Sequence, residues 1–252
     1  MKLRLLASAS VLLTLAACGG GGGGGDSTQP VAMPSITLDA LQGFWNGPVS
    51  GAPVGGAASV RSVVLSDGSA WVFMHDAQDN LVGLSTFKLA VSGPNFSGSG
   101  ARYPTSGAKV EIIAVSGVGP QNGSWAPSVT TASGTSSLAL TYDNRYQTAA
   151  APADVVGRWS FSKEGNSIQV KWDISGSGAL TGSSTLGCSY GGQVIPRGSV
   201  NVYDVAVTEN CAGTLKQLGG IARLNTAKTF MTFGLTTTDG AQAEAFAAQK
   251  AN

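Results

Sequence analysis

The sequence predicts an all-β fold: two tandem small antiparallel up-and-down β-barrels of about eight strands each, behind a signal peptide and a flexible glycine tether. Three observations predict it. Gly and Ser clusters recur about every ten residues and separate short stretches rich in Val, Thr, Ala and Ile, with hardly any helical periodicity. A Gly-x-Trp opening occurs twice, at Gly43-Phe44-Trp45 and Gly157-Arg158-Trp159, each after a short lead-in that contains an acidic residue, Asp39 or Asp154. No helices are available to cover an open sheet, so strands in hairpin succession are expected to close on themselves. Eight strands leave an interior just filled by side chains or able to hold one small ligand.

The first residues set the compartment. Lys2 and Arg4 precede an apolar stretch, Leu5 to Leu15, that ends in Leu15-Ala16-Ala17-Cys18. At about eleven residues it falls short of the roughly twenty that a helix needs to cross a bilayer core, and it has the layout of a secretory signal peptide, residues 1–17. The tetrapeptide resembles the bacterial lipobox, which implies acylation of Cys18 as the mature N-terminus. Acyl chains contribute about 0.8 kcal/mol per buried methylene, so two or more anchor stably to a lipid bilayer. Residues 18–38 then form a tether: Gly19 to Gly25 have no side chains to bury and the highest backbone entropy to lose. Its mean reach is roughly 25 Å. By resemblance to lipoprotein sorting rules, Gly19 rather than Asp beside the acylated Cys implies the outer membrane, with the periplasmic or outward face left open.

The first barrel is expected over 39–146, with strands near 43–49, 58–66, 69–75, 81–92, 95–102, 108–116, 122–130 and 135–146. Asp67-Gly68 and Asn122-Gly123 suit two-residue hairpin turns, because these residues tolerate positive φ. A turn at Asp67-Gly68 sets Val64 against Trp71, Ser62 against Phe73 and Val60 against His75. Trp71, Phe73 and His75 then form one stripe, and Arg61, Val63, Leu65, Ala70, Val72 and Met74 share the other face. Both faces are apolar enough to be core. Comparison with the second half points Arg61, Val63 and Leu65 inward and makes Trp71, Phe73 and His75 a candidate surface binding stripe, against the other barrel or a partner. Residues 147–153, Gln-Thr-Ala-Ala-Ala-Pro-Ala, read as a linker between separable modules.

The second barrel, 154–252, is expected to have strands near 157–163, 166–174, 178–185, 188–195, 200–208, 215–224, 228–236 and 241–248. Residues 167–174 alternate cleanly, with Ile168, Val170, Trp172 and Ile174 on the buried face and Ser167, Gln169, Lys171 and Asp173 in water. With Trp159 at the floor, four bulky side chains from one strand should largely fill this barrel. Of the three Cys, Cys18 takes lipid, and Cys188 and Cys211 are left to pair in an oxidising compartment. A hairpin turn at Pro196-Arg197-Gly198-Ser199 brings Cys188 near Val207 or Thr208, so a bulge or a curl at Glu209-Asn210 is needed to close the disulfide. A metal or redox role is disfavoured, since no His is near and the two Cys lack the C-x-x-C spacing.

The Gly-x-Trp opening is similar to the first motif of lipocalin-like barrels, where the Trp plugs the barrel floor; this implies that role for Trp45 and Trp159. The other lipocalin motifs are missing: Thr238-Asp239-Gly240 lacks the aromatic third residue. The whole chain resembles a group of uncharacterised Gly-tethered proteobacterial outer-membrane lipoproteins with β-rich Gly-x-Trp modules, most of all at Gly187-Cys188-Ser189-Tyr190-Gly191-Gly192, Ile195-Pro196-Arg197 and Asn201-Val202-Tyr203-Asp204-Val205. That group brings no known activity.

Charged residues make up 12% of the chain and the net charge is +1 with no basic stripe, which excludes a nucleic-acid partner of the usual kind. No nucleophile elbow, H-E-x-x-H, phosphate loop or dinucleotide fingerprint is present, and no cofactor, metal site or catalytic residue is predicted. The single His, His75, sits in His75-Asp76-Ala77-Gln78-Asp79-Asn80, which reads as a solvated connection. Of the carboxylates Glu111, Asp143, Glu164, Asp173, Asp204 and Glu209, those whose strand can be read fall mostly on polar faces or turns. The expectation is a non-enzymatic binding or scaffold module anchored through Cys18, with an envelope protein or polymer as partner. The alternatives are a lipocalin-like carrier of a small apolar ligand and, third, an envelope hydrolase.

Overall fold

A computed structural model describes residues 33–51, 55–163 and 167–251. The expected signal peptide, Cys18 and the tether as far as residue 32 lie outside the described residues. A one-turn helix α1 (Leu38–Leu41) leads into β1 (Gly43–Gly51), β2 (Ser59–Val64), β3 (Ser69–His75), β4 (Leu81–Ser92), β5 (Asn95–Tyr103), β6 (Ser106–Ala108), β7 (Glu111–Val118), β8 (Ser124–Trp125), β9 (Ser128–Thr131), β10 (Gly134–Leu138) and β11 (Leu140–Asp143). A 3-10 turn (Asn144–Gln147) and helix α2 (Pro152–Val155) connect to β12 (Gly157–Lys163), β13 (Ile168–Ile174), β14 (Ala179–Ser184), β15 (Ser189–Pro196), β16 (Tyr203–Cys211), β17 (Thr214–Leu224), β18 (Phe230–Thr237) and β19 (Gln242–Lys250).

These strands make two closed antiparallel eight-stranded barrels. In the first, the last two strands are each broken. β8 and β9 are halves of one strand interrupted at Ala126-Pro127, where proline cannot donate to the ladder, and β10 and β11 are halves interrupted at Ala139. β1 pairs with both β10 and β11 and so closes the barrel. Gly47 is required at the break: a Cβ there would stand 1.9 Å from the Ala139 carbonyl oxygen. In the second barrel β12 to β19 follow one another, and Trp159↔Lys250 and Ser160↔Gln249 close it.

β6 leaves its own barrel. It lies in the β5–β7 connection and adds to the edge of β19, with Ser106 opposite Glu244, Gly107 opposite Ala243 and Ala108 opposite Gln242. The Ala245 N–H donates to Thr105 O at 2.6 Å and the Lys109 N–H to Ala241 O at 2.9 Å. The first half thus supplies a ninth strand to the sheet of the second.

The hydrophobic side chains sort into three cores. One fills the first barrel and one the second. The third is a seam between the barrels, built from Phe44, Val63, Leu65, Phe73, Leu84 and Tyr103 on one side and Val202, Ile221, Ala243 and Ala245 on the other. The segment expected as a linker carries part of this junction. Tyr146 is buried in the seam, the Asn201 N–H donates to Tyr146 O, and the Ala150 N–H donates to Val200 O.

The β2–β3 register differs from expectation by one residue. The pairs are Val63↔Trp71, Arg61↔Phe73 and Ser59↔His75. The turn holds three residues, Ser66, Asp67 and Gly68, closed by the Leu65 N–H to Ser69 O, with Gly68 at φ 79° and the Asp67 carboxylate accepting from the Ser69 N–H. One residue of slip exchanges the faces of a strand. Val60, Ser62 and Val64 therefore turn inward with Ala70 and Met74, while Arg61, Val63 and Leu65, expected inside, share the outer face with Trp71, Phe73 and His75. The Asn122-Gly123 turn forms as expected, with φ of 50° and 75° and a Gln121↔Ser124 bridge.

Candidate functional site

The two barrel floors are built alike. In each, a one-turn helix ends two residues before the Gly of Gly-x-Trp, and the indole folds back onto that helix. Trp45 Nε1–H donates to Leu41 O at 2.9 Å, and Trp159 Nε1–H donates to Val155 O at 2.7 Å. Both Gly residues have positive φ, 151° at Gly43 and 121° at Gly157, and a Cβ on Gly43 would meet the Tyr142 ring at 2.4 Å. The indole thereby satisfies its donor while burying its ring, as a buried Trp must. Trp45 meets Trp125 and Tyr142 edge-on at 5.3 and 5.1 Å.

The second barrel is filled above its floor. Phe161 and Phe246 stack at 3.9 Å, Phe233 lies 5.0 Å from Phe246, and Trp172 meets all three edge-on at 5.1 to 5.3 Å. Ile168, Val170, Trp172 and Ile174 point into this core, as the alternation of their strand requires. Above the aromatics lies a charged rim. Lys163 bonds Glu244 at 2.7 Å and Glu209 at 3.3 Å, Lys216 bonds Glu244 at 2.9 Å, and the Tyr190 hydroxyl donates to Glu209 at 2.6 Å. Burial drives the Glu244 carboxyl upward, but Lys163 and Lys216 outweigh it and hold the group below its ordinary range. Burial first, then the bond to Glu209, pushes the Tyr190 hydroxyl far above its ordinary value. Two cations and two carboxylates balance, so the rim is a satisfied network.

The Cys188–Cys211 disulfide lies at this rim, with Cα atoms 4.3 Å apart. No bulge is needed to form it. The β15–β16 loop spans residues 197–202 instead of four residues, which moves the register so that Tyr190 faces Glu209 and Ser189 faces Asn210. Cys188 and Cys211 then oppose each other directly.

The first barrel keeps some room. An apolar void of about 40 Å³ is bounded by Val60, Val64, Met74, Phe87, Val129 and Leu138 among others. Ligand pockets run to roughly 300–1,000 Å³, and a cavity that takes up benzene measures roughly 150 Å³.

The stripe Trp71, Phe73 and His75 lies on the outside of the first barrel but is not an open surface. Phe73 and His75 are buried and Trp71 is half-buried. The face that Trp71 and Phe73 meet is the glycine-lined flank of the second barrel. A Cβ on Gly234 would stand 3.0 Å from Phe73, and one on Gly220 would stand 2.9 Å from Trp71. Of the two neighbours expected for this outer stripe, the other barrel or a partner, Trp71 and Phe73 have the other barrel. His75 Nδ1 lies 3.2 Å from Asp79 O, and burial, only partly opposed by that contact, lowers its pKa. The His75–Asn80 connection is held by Asp76, whose carboxylate accepts from the Gln78 N–H, the Asn80 N–H and the Asn80 side chain. Asp79 is taken by Arg61 at 2.6 Å.

At the edge of the seam Arg223 stacks on Phe44 at 4.4 Å, and its Nη1 is buried without a hydrogen-bond partner among the described residues. The nearby Asp143 is committed to a bidentate pair with Arg145. Burial, then repulsion by Arg145, lowers the Arg223 guanidinium to about 10.

Sequence reasoning missed the charged rim and Arg223. Glu244 could have been found, since it shares the face of its strand with Phe246 two residues on. Neither a known family model nor a curated protein matches the chain.

Proposed function

We propose that this protein is an exported lipoprotein, anchored to the outer membrane through acylated Cys18, that acts as a non-enzymatic scaffold or binding module for an envelope protein or polymer. The observation that carries this reading is that both barrel interiors are occupied by the chain's own side chains, to within about 40 Å³ of void in the first. Recognition then falls to outer faces and loops. Leu186, in the β14–β15 turn, and Leu215, the second residue of β17 and opposite Asn210, are 68% and 65% exposed near the disulfide end of the second barrel. The second reading, a carrier, is favoured only by the apolar lining of the first barrel's void.

Anchoring is tested by labelling with radioactive palmitate, which should tag the wild type and spare Cys18→Ser; equal labelling of both ends that part of the proposal. Native mass spectrometry of protein purified from its envelope tests the rest. An empty mass, with partner capture lost on changing Leu186 and Leu215 to Ser, is the expected result. A stoichiometric lipid or pigment in the complex would instead establish the carrier.

A further inference from the structure

The disulfide rim of the second barrel brings together three metal-ligating side chains that the sequence keeps apart. Tyr190 pairs with Glu209 and Ser189 with Asn210, so Cys188 and Cys211 face each other across β15 and β16. Side chains two apart on a strand share a face, which puts Glu209 on the same side as Cys211. The two sulfurs and a carboxylate oxygen of Glu209 all lie within 4.8 Å of one another. Sheet register supplies here what a C-x-x-C spacing supplies elsewhere. The Glu209 side chain is only 13% exposed, and its bonds from Tyr190 and Lys163 both fall on Oε1. Oε2 carries no such bond among the described residues.

We propose that reduction of the Cys188–Cys211 bond converts this rim into a binding site for a thiophilic divalent cation of the zinc class, with the two thiolates and the Glu209 carboxylate as ligands and a fourth position for water. The balance is simple. A dithiol or phosphine reductant delivers two electrons to the S–S bond, which breaks, and two protons complete two thiols. The cation then displaces both protons as it binds, so uptake strengthens as pH rises. Ligands held about 2.0–2.3 Å from a tetrahedral zinc lie roughly 3.5 Å from one another. The freed sulfurs must part and the carboxylate must close in, movements within reach of side-chain rotation while the ladders on either side hold the strands. Two thiolates, one carboxylate and a divalent cation leave one negative charge. Lys163, 3.3 Å from Glu209, stands ready to balance it while keeping its bond to Glu244.

The probe is Co²⁺, whose thiolate charge-transfer absorption reports sulfur ligation. The full chain carrying Cys18→Ser has only these two thiols, and a phosphine reduces them. We expect the reduced protein to bind one Co²⁺ per chain with the thiolate band and the oxidised protein to bind none. Glu209→Gln should weaken binding at least about tenfold with the band retained, and Cys211→Ser should lose the band. Far-ultraviolet circular dichroism follows the fold in parallel. The proposal is overturned by reduced protein that keeps its β signal and takes up no Co²⁺. It is equally overturned by a barrel that melts on reduction and is not restored by Co²⁺, or by Glu209→Gln binding as tightly as its parent.

Discussion

Replacing Arg223 by Met should make the protein more stable. Arg223 is 8% exposed, and its Nη1 has no hydrogen-bond partner among the described residues. Its lowering from the ordinary arginine value to about 10 corresponds to roughly 3 kcal/mol of unfavourable free energy in the folded state at neutral pH, at 1.36 kcal/mol per unit. The sign follows from proton counts. Below pH 10 both states hold the proton and the penalty is constant. Between about 10 and the ordinary arginine value the unfolded chain binds more protons than the folded one, so stability rises with pH and the penalty fades. Against this stands the stacking on Phe44, about 0.5–2 kcal/mol for a cation over a ring, part of which a methionine sulfur recovers. The net gain should be about 1–2 kcal/mol at pH 7. In urea, with a slope of roughly 2–3 kcal/mol/M, the midpoint should move up by about 0.5 M with the slope unchanged. The difference between the two proteins should shrink when both are measured at pH 10.5. A midpoint that falls, or a gap that widens with pH, would refute the reasoning and mean that Arg223 is held by interactions stronger than its desolvation.

Phe73→Ala empties a fully buried position in the seam and should cost about 3–5 kcal/mol by urea denaturation; a loss below 1 kcal/mol would mean that the barrels do not depend on each other there. Gly43→Ala forces a Cβ toward Tyr142 at a φ of 151° and should destabilise the first barrel by more than 1 kcal/mol, with the Trp45 fluorescence transition moving first. Glu244→Gln removes a carboxylate whose folded pKa is depressed. The wild type should therefore lose stability as pH falls from the unfolded value of about 4.3 through the lower folded value, and the variant should lack that part of the acid limb. Identical acid titrations of the two proteins would exclude that role for Glu244.

Most strands were legible because turn residues bound them tightly. Every second-half strand ran within about three residues of its expected place, and the alternation over Ile168–Ile174 fixed its inward face without ambiguity. The matching openings, in which each indole bonds back to the one-turn helix before it, were flagged by the repeated Gly-x-Trp itself. What escaped was register. A three-residue turn at Ser66–Gly68 and a six-residue loop at 197–202 each look in sequence like a shorter turn, and one residue of slip decides which face is buried. That slip hid the seam, because Val63, Leu65, Trp71 and Phe73 were split between two faces when they share one. β6 was not legible at all. Ser106-Gly107-Ala108 has neither alternation nor bulk, and it becomes a strand only because the β19 edge is there to receive it.

β6 also makes the duplication one-directional. The halves match in their opening turn, strand count and closure, yet among the described residues only the first lends a strand to the other; beside it the Tyr103 hydroxyl donates to Gly240 O at 2.8 Å across a separation of 137. A chain that leaves a ribosome or a translocation pore N-terminus first must expose Ser106–Ala108 long before β19 exists to accept it. Of the described strands β19 arrives last, and it seals its own cylinder against β12 and captures the waiting β6 together. Arrival of β19 is therefore the event that locks the two halves, and a chain cut short before Gln242 would lose the closure of one barrel and leave the donated edge of the other bare.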